Sequence, residues 1–256
     1  MKLSWAVRTD PGLRRSSNED SYCTRPDLGL FAVADGMGGH VAGEVASRLA
    51  VETIQTFITE TAGADKNRTW PFGYEPAISL EANRLKAAFR LGNRQIANAM
   101  ADSADLRGMA TTASAVLTGK NSACVGHVGD SRIYILRNGR LEQITDDHSW
   151  VEEQVRAGTM SASAARQHPW RNVVTRALSG GGDPEIDTVE LTPEPGERYL
   201  LCSDGLSAVV QHETIARLLG ENGGGLEGIC ERLIAAANEA GGPDNITVLV
   251  LEVDAP

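Results

Sequence analysis

Four aspartates lie beside apolar stretches of the chain that have the composition of buried strands. Asp35 follows LFAVA, Asp130 follows CVGHVG and Asp204 follows YLLCS, while Asp244 comes just before NITVLVLEV. Three of them lie in Asp-Gly or Gly-Asp pairs, which are common in turns, and we expect each pair to end its strand and turn sharply. One such pair is more often only a turn. Four aspartates beside strands favour a shared site, because carboxylates crowded in a partly dry pocket repel one another unless a divalent cation joins them.

The ligand atoms indicate which metal this would be. All-oxygen ligands suit Mg²⁺ or Mn²⁺, whereas the chain has no cluster of cysteines and histidines of the kind that binds zinc. The four cysteines are far apart in the chain; they are Cys23, Cys124, Cys202 and Cys230. We expect them to be buried free thiols in a reducing compartment.

The segment FAVADGMGGHVAGEVA, residues 31–46, allows a different interpretation of Asp35. An apolar strand, a glycine-rich turn and a helix start also form the loops that bind dinucleotide phosphates. That fingerprint requires Gly-x-Gly-x-x-Gly, however, and GMGGHV places Val41 at its last position. Because Asp35 would also repel a pyrophosphate, the sequence disfavours a dinucleotide site.

The predicted elements indicate an α+β fold. Apolar or alternating runs predict strands at 3–9, 28–34, 111–119, 122–129, 132–139, 186–191, 198–203 and 246–253. Helical periodicity covers 42–60, 77–101 and 212–240, the last broken by NGGG at 222–225. The Asn-Gly pair in RNGRLEQIT is a strong hairpin signal. Strands with short connections favour antiparallel sheets with helices packed outside them, and we expect one domain over residues 1–256.

Two segments interrupt this pattern. Residues 61–76 form a Gly- and Pro-containing excursion between two predicted helices, to which we assign no role. Residues 145–172, called the flap below, interrupt the strands with short helical pieces. A loop of that size in a compact domain is usually a lid or a binding element.

The composition excludes some classes of partner. The chain has 256 residues, with 24 Lys+Arg against 34 Asp+Glu and a formal net charge of −10, so it lacks a basic stripe for nucleic acid. No apolar run approaches the roughly 20 residues that span a membrane. The N-terminal MKLSWAVRTDPG lacks the apolar core of a signal peptide and is read as the start of the fold. We therefore expect a cytoplasmic protein.

Several motifs occur together in a familiar order. They are RSSNED (15–20), FAVADGMGGH (31–40), GMATTASAVL (108–117), VGDSR (128–132), YLLCSDGLS (199–207) and GGPDNITVLV (241–250). In this order the chain resembles the metal-dependent serine/threonine protein phosphatases of the PP2C-like family, in the bacterial-type branch. The resemblance runs from about residue 3 to residue 253. It implies a four-layer α-β-β-α sandwich, with two central, mostly antiparallel sheets flanked by helices.

The resemblance also implies a two-metal centre with Mn²⁺ or Mg²⁺ and, at a third position, a weaker metal. In such a centre a metal-bridging hydroxide attacks phosphorus in line, without a phosphoenzyme. The implied ligands are Asp35 as the bridge, the Gly36 carbonyl on one metal, Asp204 and Asp244 on the other, and Asp130 on the third. Glu19 and Asp20 would orient metal-bound waters or bind a metal directly.

Two further residues receive roles by resemblance. Arg15 would bind the substrate phosphate, since its planar fork can donate two parallel hydrogen bonds. The leaving alkoxide needs a proton, and animal members carry a histidine directly after the Asp-Gly pair, where this chain has Met37. His40 is a candidate acid, although a metal-bound water could serve instead. GMATTA is expected in a core strand near the site with no chemistry of its own, and His127, His148 and His168 are expected to be structural.

The implied substrates are proteins phosphorylated on serine or threonine, with a cognate Ser/Thr kinase as partner and a monomeric enzyme that does not insert into membranes. Two other functions stay open. One is a non-catalytic module of the same fold that binds phosphoproteins or another partner. The other is a phosphatase of a small phosphorylated metabolite. Retention of every expected carboxylate favours the enzyme over the binding module.

Overall fold

The computed structural model describes residues 1–38, 42–63 and 67–254. The strands are β1 (Leu3–Asp10), β2 (Asp20–Arg25), β3 (Leu30–Met37), β4 (Ala110–Thr111), β5 (Ala113–Thr118), β6 (Ala123–Val128), β7 (Arg132–Arg137), β8 (Arg140–Gln143), β9 (Asp187–Leu191), β10 (Arg198–Cys202) and β11 (Ile246–Val253). The helices are α1 (Ala42–Glu60), α2 (Leu80–Asp102), α3 (Trp150–Arg156), α4 (Ala162–Gln167), α5 (Asp204–Ser207), α6 (His212–Gly220) and α7 (Gly225–Glu239).

The strands form two sheets. The first has the order β1-β11-β10-β7-β8, and the second has the order β2-β3-β5-β6-β9, with β4 also paired to β3. Neighbouring strands pair antiparallel throughout these orders. In the β7–β8 hairpin, Asn138 and Gly139 have φ of 51° and 75°, which is the backbone of the tight turn that the Asn-Gly pair predicts.

Three apolar cores separate four layers. Leu30, Ile54 and Phe89 belong to the core between the second sheet and helices α1 and α2. Phe31 and Leu249 belong to the core between the two sheets. A third core packs the first sheet against α6 and α7. Adjacent residues such as Leu30 and Phe31 enter different cores because successive strand side chains point to opposite faces. The expected α+β, four-layer sandwich is confirmed.

The main departure from the predicted elements is β2, which we did not expect as a strand. It is an edge strand with the sequence DSYCTR, and among its side chains only Cys23 is fully buried. A strand that buries so little needs few apolar residues, so its hydrophobic pattern is weak. All four cysteines are buried free thiols, as expected.

Each of the two irregular segments contains packed aromatic residues or short helices. In the excursion, Trp70 packs edge-on against Phe57, with ring centroids 6.3 Å apart, and also contacts Tyr74. The flap contains α3 and α4, which are the expected short helical pieces. Among the described residues, no helix has both the length and the apolar character that crossing a membrane requires.

Candidate metal centre

Carboxylates from both sheets meet in a cleft of about 240 Å³. The sequence-predicted residues that line it are Arg15, Glu19, Asp35, Gly36, Asp130, Asp204 and Asp244. Asp20 lies behind this wall and faces Asp35 across the β2–β3 pairing. His40 lies outside the described residues, so its role stays a prediction.

The Asp35-Gly36 pair continues strand β3, and the sharp turn expected there is wrong. Gly36 pairs with Thr111 of β4, and its N–H donates to the Glu19 carbonyl at 3.2 Å. A side chain at position 36 would overlap the Gly43 carbonyl at the start of α1. Glycine is required because the backbone of the helix approaches the strand here, and this approach leaves the Asp35 carboxylate at the cleft.

The first sheet supplies Asp204 and Asp244. Asp204 is the first residue of α5, directly after β10, so its Asp-Gly pair begins a helix and does not form the isolated turn that we expected. Asp244 precedes β11, and because β10 and β11 are antiparallel neighbours, the end of one meets the start of the other. The Gly129-Asp130 pair does turn as expected, with Gly129 at φ 111° after β6.

Asn245 is a site residue that the sequence analysis missed, although its motif was recognised. Its Nδ2 donates to the carbonyls of Pro11 at 3.0 Å and Ser17 at 2.8 Å, and its Oδ1 accepts from Glu19 N–H at 2.8 Å. Asn245 therefore clamps the loop that carries Arg15 and Glu19 against the start of β11. An amide is suited to this position because it donates and accepts at once. The adjacency of Asn245 to Asp244 was the available signal.

Burial raises the pKa of the clustered aspartates. The pKa rises to about 7 for Asp20, about 8 for Asp130 and about 6 for Asp204, and it rises well above its usual value for Asp35. Burial is the largest cause in each case. Neighbouring carboxylates add to it, for example Asp244 acting on Asp204. Without a cation the site therefore favours protonated carboxyls, and a divalent cation would favour their ionised form.

These residues fit a hard divalent cation. Every acidic side chain offers oxygen atoms as ligands. Asp20 has one buried oxygen, Oδ1, without a hydrogen-bond partner. Its other oxygen, Oδ2, accepts a hydrogen bond from Ser203 Oγ at 2.7 Å. Within the described ranges, no three acidic, histidine or cysteine side chains already converge as a complete ligand set. Hard cations such as Mg²⁺ take oxygen ligands and keep several bound waters.

Arg15 extends into the same cleft from the loop after β1. Its Nη2 donates to Asp244 Oδ2 at 2.7 Å, and about half of its side chain is exposed. The guanidinium therefore lies beside the carboxylates with donors available to an incoming anion. Asn172, the last residue of the flap, and Val174, two residues later, also line the cleft.

The described histidines lie outside the lining of the cleft. His127 and His148 are buried, with ring centroids 4.8 Å apart, and both hydrogen-bond within the fold. His168 is in the flap, where it packs against Trp150 with centroids 4.9 Å apart. The expectation that these three are structural agrees with their packing.

A family model described as Protein phosphatase 2C matches residues 14–241. The chain is 40% identical over 255 residues to the serine/threonine protein phosphatase PstP of Mycobacterium tuberculosis, an alignment that covers 98% of this chain and 45% of PstP. It therefore spans about half the length of that relative.

Two further similarities cover nearly all of both chains. The serine/threonine phosphatase stp of Listeria welshimeri is 37% identical over 251 residues, which are 96% of this chain and 94% of stp. The solved structure of the catalytic domain of serine/threonine protein phosphatase PstP, in complex with two manganese ions, has a TM-score of 0.83 and 39% identity, with 99% of each chain covered.

Proposed function

We propose that this chain, which belongs to the protein phosphatase 2C family, hydrolyses phosphoserine and phosphothreonine in proteins with Mn²⁺ or Mg²⁺ as cofactor. The observation that carries the proposal is the meeting of carboxylates from both sheets with Arg15 in one cleft. The similarity to PstP and stp, both serine/threonine phosphatases, supports the same reaction here.

The residues that would hold the metals are those in and behind the cleft. Asp35, with the Gly36 carbonyl, would hold one ion and share the second with Asp204 and Asp244, while Asp130 would hold a third, weaker one. Glu19 and Asp20 would orient waters at these ions or bind one directly. When bound, such ions lower the pKa of water and offset the negative charge of the phosphate.

The protein's own groups bind the substrate and exclude other reactions. Arg15 can donate two hydrogen bonds to phosphate oxygens and so fix the orientation of the phosphorus. Among the described residues that line the cleft, the side chains that could themselves attack phosphorus are carboxylates, and their proposed use as metal ligands supports direct attack by water instead. His40 is the proposed proton donor to the leaving alkoxide.

Hydrolysis of p-nitrophenyl phosphate in Mn²⁺ tests this proposal. We expect activity that a chelator abolishes and that Asp35→Asn lowers at least about 100-fold, because metal ions contribute several kcal/mol to such transition states. Asp105→Asn, at an exposed aspartate outside the cleft, is the matched control and should leave the rate unchanged.

The other outcomes distinguish the remaining functions. A folded wild-type protein that is inert in Mn²⁺ would support the non-catalytic phosphoprotein-binding module. Turnover of a phosphorylated metabolite without turnover of phosphopeptides would support the small-molecule phosphatase. Full activity in Asp35→Asn would contradict the assigned metal ligands.

The flap, residues 145–172, is proposed to control access of phosphoproteins to the cleft. Trp150, His168 and Trp170 form an aromatic cluster within it, and Trp170 is 55% exposed. Asn172, two residues later, lines the cleft itself. A polypeptide bound with its phosphate in the cleft would therefore extend past an apolar surface of the flap, whereas a small aryl phosphate would not.

We propose that residues 1–256 act as one domain, monomeric and cytoplasmic, with a cognate Ser/Thr kinase as partner. The net charge of −10 supports the absence of a nucleic-acid partner. Incubation with the autophosphorylated kinase tests the pairing, and phosphate that persists on the kinase would reject it. The excursion at 61–76 has no proposed role in catalysis.

A further inference from the structure

The threonine pair of GMATTA, to which we assigned no chemistry, lies directly against Asp35. The β3 pairing keeps a constant register on both sides of this point, with Val33 opposite Ser114 and Gly36 opposite Thr111. This register places Asp35 opposite Thr112. Thr112 N–H donates to the Asp35 carbonyl at 2.9 Å, as an antiparallel pair requires.

The second hydrogen bond of this pair, the one that the Asp35 N–H donates, is unusual. In a regular pair, the Asp35 N–H would donate to the backbone carbonyl of Thr112. Here it donates to the side-chain oxygen Thr112 Oγ1 at 3.0 Å. The neighbouring hydroxyl, Thr111 Oγ1, lies 2.8 Å from the carbonyls of both Asp35 and Thr112, and its one proton can go to either. The Thr112 side chain thus holds the amide of Asp35.

The same hydroxyl reaches a second acidic segment. Thr112 Oγ1 lies 2.7 Å from Ser131 Oγ, and Ser131 directly follows Asp130. Both side chains are fully buried. A buried hydroxyl is costly unless it is hydrogen-bonded, so apolar residues would be the simpler choice in a core strand. The bonds of Thr112 join the backbone of Asp35 to the turn that carries Asp130.

Ser114 and His127 lie between this network and the base of the flap. Ser114 Oγ lies 3.1 Å from the Ser131 carbonyl and 2.8 Å from His127 Nδ1, and His127 Nε2 lies 3.0 Å from the Asp146 carbonyl. Burial lowers the pKa of His127 to about 4, so its ring is neutral near pH 7. Since Nε2–H must donate to the carbonyl, Nδ1 accepts the one proton of the Ser114 hydroxyl, which leaves no proton for the Ser131 carbonyl.

We propose that Thr112 is a positioning residue for Asp35, and that Ser131 extends the same support to Asp130. This inference rests on the proposed function, because it concerns how the proposed metal ligand is held. Outer partners of metal ligands typically contribute 10–100-fold in metal affinity. Thr112 acts at the backbone of the ligand residue, which determines where the carboxylate lies.

Calorimetric titration with MnCl₂ alone tests the proposal. Thr112→Val keeps the shape of the side chain and removes the hydroxyl, and we expect Mn²⁺ to bind about 10–100-fold more weakly. Thr112→Ser restores the hydroxyl and should bind within about threefold of the wild type. Thr61→Val is the matched control, because it removes an equally buried hydroxyl that bonds the Phe57 carbonyl. It should lower Tm without changing Mn²⁺ affinity.

Amide hydrogen exchange in metal-free protein gives a readout that does not depend on catalysis. The Asp35 amide should exchange faster in Thr112→Val than in wild type or Thr112→Ser, because its acceptor is gone. Folded Thr112→Val with wild-type Mn²⁺ affinity and a protected Asp35 amide would overturn the proposal. If Thr112→Val does not fold, Ser131→Ala is used in its place. We expect this variant to bind Mn²⁺ more weakly than the wild type, and unchanged binding would contradict the inference.

A wild-type protein that binds no Mn²⁺ would be a failure of the proposed function. The exchange rate of the Asp35 amide would still show whether Thr112 holds this residue. The two failures are therefore distinguishable.

Discussion

At the scale of single residues, the site is a set of like charges that the fold holds close together. Asp20, Asp35, Asp130 and Asp204 all have a pKa raised first by burial. Polar side chains around them, such as Asn245 and Thr112, bond the backbone of the loops and strands that carry acidic residues. The acidic groups are thereby fixed in place while their charges stay available to cations.

Arg15 gives a prediction at this scale. Arg15→Lys keeps the charge but loses the planar fork, so we expect kcat/KM for a phosphopeptide to fall about 10–100-fold, in line with the 1.5–3 kcal/mol of a charged hydrogen bond. Steady-state kinetics measure the change. The neighbouring exposed Arg14 is the control, and Arg14→Lys should have no effect. Unchanged kcat/KM in Arg15→Lys would show that charge alone matters, and equal losses in both variants would show that the effect is not specific to Arg15.

At the scale of elements, close approaches of backbone segments build the site. Gly36 lets α1 reach strand β3, and Gly205 lets α5 reach the Asn245 carbonyl, where a side chain would overlap it. Both glycines follow an aspartate of the site. The Asp-Gly pairs that suggest turns in the sequence are therefore places where a helix meets a strand.

The flap gives the prediction at the element scale. Trp170→Ala removes the exposed ring of the aromatic cluster, and we expect KM for phosphoproteins to rise about 3- to 10-fold, by analogy with the 0.5–1.5 kcal/mol of an aromatic contact. The rate on p-nitrophenyl phosphate should stay unchanged. Trp5→Ala, at another partly exposed tryptophan on β1, is the control. Equal losses on both substrates would count against a role of the flap in protein recognition.

At the scale of the whole molecule, the stability of the fold is linked to the acidic site. A carboxyl whose pKa is higher in the folded chain binds protons that the unfolded chain releases, so stability falls as pH rises toward the folded pKa. Asp20 and Asp130 act in this way from their ordinary pKa of 3.8 up to about 7 and about 8. The lowered pKa of His127 acts in the opposite direction, but only below about pH 6.5.

We therefore predict that Tm in chelator falls between about pH 6.5 and pH 8. Excess Mn²⁺ should raise Tm at pH 8, because a ligand that binds only the folded state stabilises it. Asp130→Asn should flatten the pH dependence in chelator, since one of the titrating carboxyls is removed. Differential scanning calorimetry measures all three effects. A chelated protein whose Tm increases over this range would refute the link.

Much of this molecule follows from local pattern, and the failures have physical causes. The strand β3, the β7–β8 hairpin and the helices α1 and α2 were predicted because apolar periodicity and turn residues act over a few neighbours. The edge strand β2 was missed because it buries little. Asn245 and Thr112 were missed because their importance lies in hydrogen bonds to residues far away in the chain.

From the sequence alone follow the α+β class, the acidic oxygen atoms proposed as ligands and the order of motifs that resembles the phosphatase family. Only the tertiary structure decided that Asp35 continues a strand, that Asp204 begins a helix, and that these two meet in one cleft. It also decided that Thr112 takes the place of a backbone acceptor beside Asp35. The physical reason is that a residue's type and its near neighbours determine which bonds it can make, while the stacking of the two sheets determines which partner it meets.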